Sequence, residues 1–204
     1  MRLYLVRHAQ SEANVRGELD TAPPGAPLTE LGKQQAADLG RRLGNERIAA
    51  VYSSRATRAQ QTAAGVVAHR ELEVQVIDGV HEIAAGDLEA RTDSESIDTY
   101  QRVIGRWASG ELDVRMPGGE SGTQVRQRFL DAVGEICAKH ERTADGAVVL
   151  VCHGALLRLG SEWLAENVTA EVTSRELLPN TALIDVERSA EQRWRCVSWA
   201  GLVL

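Results

Sequence analysis

Ala147-Val148-Val149-Leu150-Val151-Cys152-His153-Gly154 holds no polar side chain until it reaches the histidine. Six unbroken apolar positions closed by His-Gly predict a central strand buried on both faces, as in a parallel sheet covered by helices. Working outward, Arg2–Arg7 reads as a first strand that also ends on a histidine, His8. Residues 48–52 read as a second strand and 73–77 as a third, the latter alternating with polar residues. Between them, Leu28, Leu31, Ala36, Leu39 and Leu43 recur at helical spacing, with Thr29 placed to cap the start and Gly44 to end the helix. Ala59, Thr62, Ala63, Val66 and Val67 mark a second helix, Val125, Phe129, Ala132, Val133 and Ile136 a third, and Leu156, Leu159 and Trp163 a fourth. Residues 182–186 and 193–199 look like two last strands. This alternation predicts an α/β fold with a mostly parallel sheet.

The periodicity weakens from Gly79 to Gly119, where Pro117-Gly118-Gly119 punctuates the chain. That stretch is expected to form a lid-like excursion at 79–119 within a single domain spanning 1–204. A chain of 204 residues buries roughly 70% of its unfolded surface and needs no disulfide or structural metal to fold. The net charge of -6 argues against a general nucleic-acid or anionic-membrane binder, while leaving room for a local basic pocket. Cys137, Cys152 and Cys196 are odd in number and lack C-x-x-C spacing, which disfavours a disulfide framework or a zinc site and favours the cytoplasm. The apolar run Leu3 to Val6 is too short for a signal peptide or a membrane span.

His8 and His153 both follow strands, and the carboxyl edge of an open α/β sheet is where ligands bind, beside free helix N–H groups. If the two strands are neighbours, the imidazoles converge on one crevice. In Ser53-Ser54-Arg55-Ala56-Thr57-Arg58 a strand delivers serines and two arginines to a helix start. Arginine forks bind phosphate oxygens, so Arg55 and Arg58, three apart, are either anion ligands on one face or a solvated surface pair. Glu82, Asp87 and Glu89 are three candidates for an acid that protonates a leaving oxygen, and spacing does not choose among them.

Arg7-His8, Leu28-Thr29-Glu30-Leu31-Gly32 with Gln35-Ala36, Ser53-Ser54 with Arg58-Ala59 and Thr62-Ala63, Glu82 with Gly86, Pro117-Gly118-Gly119-Glu120-Ser121 and His153-Gly154 together resemble the histidine phosphatase superfamily, phosphatase branch. The resemblance runs in order from residue 2 to about residue 160. It implies a three-layer α/β/α sandwich of the phosphoglycerate mutase-like kind. It implies that His8 is the nucleophile and carries a phosphohistidine, and that Glu82 is the acid and then the base. Arg7, Arg58 and His153 would surround the phosphate, with Asn14 and Gly154 at its binding site, and no cofactor or metal would be needed.

The sequence departs from that pattern at Ala9, where glycine is usual, and costs about 1 kcal/mol if the position needs positive φ. It also departs at Ala85-Gly86-Asp87-Leu88, which lacks two aromatic residues, and in the proline-rich loop 17–25. The leading expectation is a cofactor-independent phosphomonoesterase acting on a small phosphorylated substrate. A phosphoglycerate mutase and a non-catalytic phosphate- or phosphoprotein-binding module are the alternatives. Arg16, Arg55, Arg91 and Arg115 are candidates for a second anion site. Trp194 and Trp199 in the last strand pair mark either a homodimer edge or the chain's own core.

Overall fold

The computed structural model describes residues 1–141, 146–175 and 178–204, with Ser174 and Arg175 described by backbone alone. Its strands are β1 (Arg2–Arg7), β2 (Ile48–Ser53), β3 (Val74–Val76), β4 (Ala147–Cys152), β5 (Leu183–Arg188), β6 (Trp194–Trp199) and β7 (Leu202–Val203). They form one sheet in the order β3-β2-β4-β1-β5-β6-β7. The first four pair in parallel and the last three add antiparallel, so five of the seven strands share one direction. The helices are α1 (Glu12–Arg16), α2 (Glu30–Arg42), α3 (Thr57–Val67), α4 (Ser94–Ala108), α5 (Gly122–His140), α6 (Gly154–Leu164) and α7 (Ala170–Arg175).

The strand pleat sorts the core into two halves. Leu3, Leu5, Val148, Leu150 and Cys152 face one way and pack with Trp107 of α4, Phe129 of α5 and Leu156 of α6. Tyr4, Val6, Val149 and Val151 face the other way and pack with Leu39 of α2 and Ala59, Ala63 and Val66 of α3. Two helical layers therefore enclose the sheet, and all six residues of β4 are buried, as its unbroken apolar run requires.

Several boundaries differ from the sequence expectation. The Thr29 cap holds, its Oγ1 accepting the Gly32 N–H at 2.9 Å. Helix α2 runs to Arg42 with Leu43 as its C-cap, the Leu43 N–H still donating to Leu39 O, and Gly44 stands just past the end as expected. Strand β2 is one residue longer than expected. β3 has only three residues, since it pairs with β2 alone and leaves Gln75 and Val76 exposed at the sheet edge. α1, α7 and β7 are too short to show a period. Within 79–119 the chain makes a 3-10 turn at Gly86–Leu88 and then α4, which lays Tyr100, Val103, Ile104 and Trp107 on the core. Trp194 and Trp199 are buried in that same core, and β7 rather than β6 stands at the sheet edge, so the tryptophans give no reason to expect a homodimer. Among the described residues no helix is long and apolar enough to cross a membrane.

Candidate active site

Register places Arg7 opposite Cys152, so His8 and His153 leave neighbouring parallel strands side by side. Their ring centroids are 5.3 Å apart and both side chains are buried. Arg58, in the first turn of α3, reaches between them. Its Nε donates to His8 Nε2 at 3.2 Å, and its Nη2 lies 3.3 Å from His153 Nδ1. A guanidinium only donates, so both ring nitrogens are acceptors. The other nitrogen of His8, Nδ1, is 2.7 Å from Ala9 O and must carry the N–H. His8 is therefore neutral, protonated on Nδ1, with its Nε2 lone pair turned toward the cavity. In His153 the N–H falls on Nε2, which donates to Ser54 Oγ at 2.7 Å. Burial, with Arg58 and then Arg7 adding to it, pushes His8 down to about 3. Burial and the adjacent His8 push His153 well below the usual histidine value.

Arg7 enters the same cavity. Its Nη1 donates to Leu178 O at 2.5 Å, while its Nε is buried with no hydrogen-bond partner. A Cβ on Gly154 would lie 3.1 Å from that Nε, so glycine here lets the guanidinium rest against the start of α6. Asn14 also lines the cavity, but its Oδ1 serves the α1 cap by accepting the Ser11 N–H. Asn180, which no sequence pattern pointed to, donates from Nδ2 to His8 O at 3.0 Å and ties Asn14 to the end of β1.

Of the three acid candidates only Glu82 lines this cavity. Its Oε1 accepts the N–H groups of Leu156 and Ile83, both at 2.9 Å, and its Oε2 accepts that of Ala155 at 3.2 Å. The carboxylate thus sits over the N-terminus of α6, where the helix dipole favours negative charge. Asp87 turns to the 117–119 turn, its N–H donating to Pro117 O and its carboxylate lying against Gly118. Glu89 accepts from the Thr21 hydroxyl and from the N–H groups of Thr21 and Ala22. The segment carrying Glu82 is held by Arg128 of α5, which donates to the carbonyls of Gly79, His81 and Glu82 and pairs with Glu120 at 2.7 Å. Arg128 carries no local signal that sequence reading could use, and Glu120 stands in the Pro117–Ser121 motif without a role that the motif alone assigns. Gly86, at φ +58°, packs so that a Cβ would fall 2.1 Å from Pro117 O.

The proposed second anion site does not form. Arg16 pairs with Glu18, Arg55 with Asp78 and Arg91 with Asp93, Arg115 donates to Gly119 O, and none of the four lines the cavity. Arg55 precedes α3, so its three-residue spacing from Arg58 is not helical spacing and the two part company: Arg58 is buried and Arg55 exposed. Ala9 is not at positive φ. It packs against Leu28 and Ala36, with its N–H on Thr62 Oγ1, and costs no backbone strain. Loop 17–25 folds over Arg58, whose Nη1 pairs with Asp20 at 2.9 Å and whose Nη2 donates to Asp20 O at 2.7 Å. Tyr100 and Ile104 of α4 supply wall where Ala85 and Leu88 lack aromatic bulk, and the cavity measures about 490 Å³.

The description of the histidine phosphatase superfamily (branch 1) matches residues 3–201. The metal-independent phosphoserine phosphatase of Arabidopsis thaliana is 30% identical over 203 residues, 98% of this chain and 81% of that protein. A probable phosphoglycerate mutase of Yersinia pestis is 29% identical over 98% of this chain and 90% of its own length. The structure of mycobacterial glucosyl-3-phosphoglycerate phosphatase complexed with VO3 superposes with a TM-score of 0.80 at 30% identity, covering 98% of each chain.

Proposed function

Because this chain belongs to the histidine phosphatase superfamily (branch 1) and is a phosphatase, we propose that it hydrolyses small phosphomonoesters in two steps through a phosphohistidine on His8. The observation that carries the reading is the hydrogen bonding of His8, which leaves an unprotonated Nε2 facing a cavity lined by Arg7, Arg58 and Glu82. A dianionic phosphate meets the two guanidinium groups, which stabilise charge on its equatorial oxygens, and His153 joins them once the incoming dianion draws a proton onto its Nδ1, with Asn14 and Gly154 completing the seat. Nε2 attacks phosphorus in line with the ester oxygen. The P–N bond forms as the P–O bond breaks, and Glu82, which takes up a proton as the dianionic ester enters, gives that proton to the leaving oxygen. Glu82 then takes a proton from water, the water oxygen attacks phosphorus, and the P–N bond breaks, returning the lone pair to Nε2. The Nδ1–H to Ala9 O bond persists through both steps and fixes which nitrogen reacts.

In this reading residues 1–204 act as one domain, with 79–119 closing over the cavity, and the free buried thiols of Cys137, Cys152 and Cys196 support a cytoplasmic setting. The relative named as a phosphoglycerate mutase keeps phosphoryl return as the second reading. One assay separates the two: phosphate release in EDTA from an aryl phosphate, phosphoserine, phosphoglycerates, sugar phosphates and nucleotides, with His8→Ala as blank. Release lost in the variant is the expected result. Interconversion of 3- and 2-phosphoglycerate through a stable phosphoenzyme, with no phosphate released, is the mutase outcome.

A further inference from the structure

Among the described residues three buried side-chain nitrogens lack a hydrogen-bond partner: Arg7 Nε, Arg158 Nε and Trp199 Nε1. The first two belong to one cavity. An orphaned guanidinium nitrogen costs stability unless a ligand meets it, and the phosphate of the reading above accounts only for Arg7. The carboxylates lining this cavity are engaged elsewhere. Glu18 pairs with Arg16, Asp20 with Arg58, Glu82 accepts backbone N–H groups of α6, and Glu162 accepts from the Thr173 hydroxyl. Glu162, one turn further along α6, feels the Arg158 charge, but among the described residues no carboxylate lies within ion-pair distance of Arg158, so its fork is left for something that enters the cavity.

The helix sets the spacing. Gly154, Arg158 and Glu162 stand at i, i+4 and i+8 along α6 and line the cavity on successive turns. Arg7 Nε lies against Gly154, and Arg158 is rooted one turn further on, about 6 Å along the axis. Ile97 and Ile104 of α4 also line the cavity, giving the apolar surroundings in which a charge-assisted bond is strongest. A single planar fork matches a carboxylate edge-on.

Resting on the phosphomonoesterase reading, we infer that Arg158 is a specificity residue that binds a carboxylate of the substrate, carried about one helical turn from the phosphate. The substrate class is a small phosphorylated acid, with phosphorus at His8 and the carboxylate at Arg158.

Two matched pairs of esters test this: phosphoserine against phosphoethanolamine, and 3-phosphoglycerate against glycerol 3-phosphate, with p-nitrophenyl phosphate as reference. The wild type is expected to prefer the acid of each pair by about tenfold or more in kcat/KM. Arg158→Met should bring each pair within about twofold, through a raised KM for the acid, while turnover of the aryl phosphate stays within about threefold. Arg158→Lys, which keeps the charge and loses the fork, should retain part of the preference, and it carries the comparison if Arg158→Met does not fold. Wild type that hydrolyses the aryl phosphate but treats both members of each pair alike overturns the inference and leaves the phosphatase reading intact. A parallel loss on all five esters in Arg158→Met and Arg158→Lys overturns it too, as a structural effect. Wild type that hydrolyses none of the five overturns the phosphatase reading itself.

Discussion

His8 and Glu82 face the same cavity but are held there by different means. His8, His153 and Arg7 stand at the ends of adjacent strands, and Arg58 stands in the first turn of a helix that follows a third, so the sheet itself aligns them. Glu82 lies between β3 and the 3-10 turn, in a segment with no strand or helix of its own. It is aimed by side chains from elsewhere, above all Arg128 with its three carbonyl partners. One side of the cavity is set by backbone register, and the other by a guanidinium under the segment together with the backbone N–H groups that meet the carboxylate. The first kind of placement is rigid and local, whereas the second depends on contacts some 46 to 49 residues apart in sequence.

Chemistry should divide along the same line. His8→Ala is expected to lower phosphate release from every ester, aryl or alkyl, by more than about a thousandfold with the fold retained. Release that survived in this variant would remove β1 as the source of the nucleophile. Glu82→Gln should cost about a hundredfold on alkyl phosphates, which need a proton on departure, and less than about tenfold on p-nitrophenyl phosphate. Equal losses on both would erase the distinction between the two sides. Arg128→Met leaves Glu82 held only by the backbone N–H groups of Ile83, Ala155 and Leu156. A loss of about tenfold, with the same dependence on leaving group, should accompany destabilisation of about 2–3 kcal/mol in urea titration. Gly86→Ala probes the same wall through its backbone, where strain at positive φ and the clash with Pro117 O should cost about 2 kcal/mol by thermal unfolding.

The remaining effect belongs to the strand-end side and appears on acidification. His8 and His153 are neutral in the fold, and His8 titrates at about 3 rather than at the ordinary 6.5. The unfolded chain therefore binds these protons first. Stability is full above about pH 6.5 and is lost as pH falls toward the folded value of His8. His8 contributes about 1.4 kcal/mol per pH unit within that window, and His153 acts in the same direction. Urea midpoints measured at pH 7, 6 and 5 should decline, and His8→Ala should flatten the decline by one proton's share. An unchanged slope would mean that His8 is already charged in the fold.

What the sequence revealed follows the same division. β4 is found with the bounds its apolar run implies, and His8 and His153 meet because their strands are register neighbours. Arg58 was legible at a helix start, but the fate of Arg55 was not, since it turns on whether the helix begins at residue 55 or 57. α4 escaped notice because Ser94–Ala108 carries its apolar stripe among many polar residues. Resemblance pointed to Glu82, but spacing could not set it above Asp87 and Glu89, since that turns on Pro117-Gly118 taking one rival and Thr21, 68 residues away, the other. Asp20 and Asn180 were missed for the same reason, reaching the site across 38 and 172 residues. Side-chain networks of that range leave no period and no motif.

Arg58 meets its phosphate already committed to a neighbour. With the Asp20 carboxylate 2.9 Å from Nη1, a dianion seated on Arg58 rests close to a fixed negative charge, and the two repel in a poorly screened setting. In the proposed reaction the pull on an ester would be moderated, and so would the grip on the inorganic phosphate left after hydrolysis. In terms of time, the product's stay would be shortened, which would suit an enzyme that must empty its cavity before the next ester can enter.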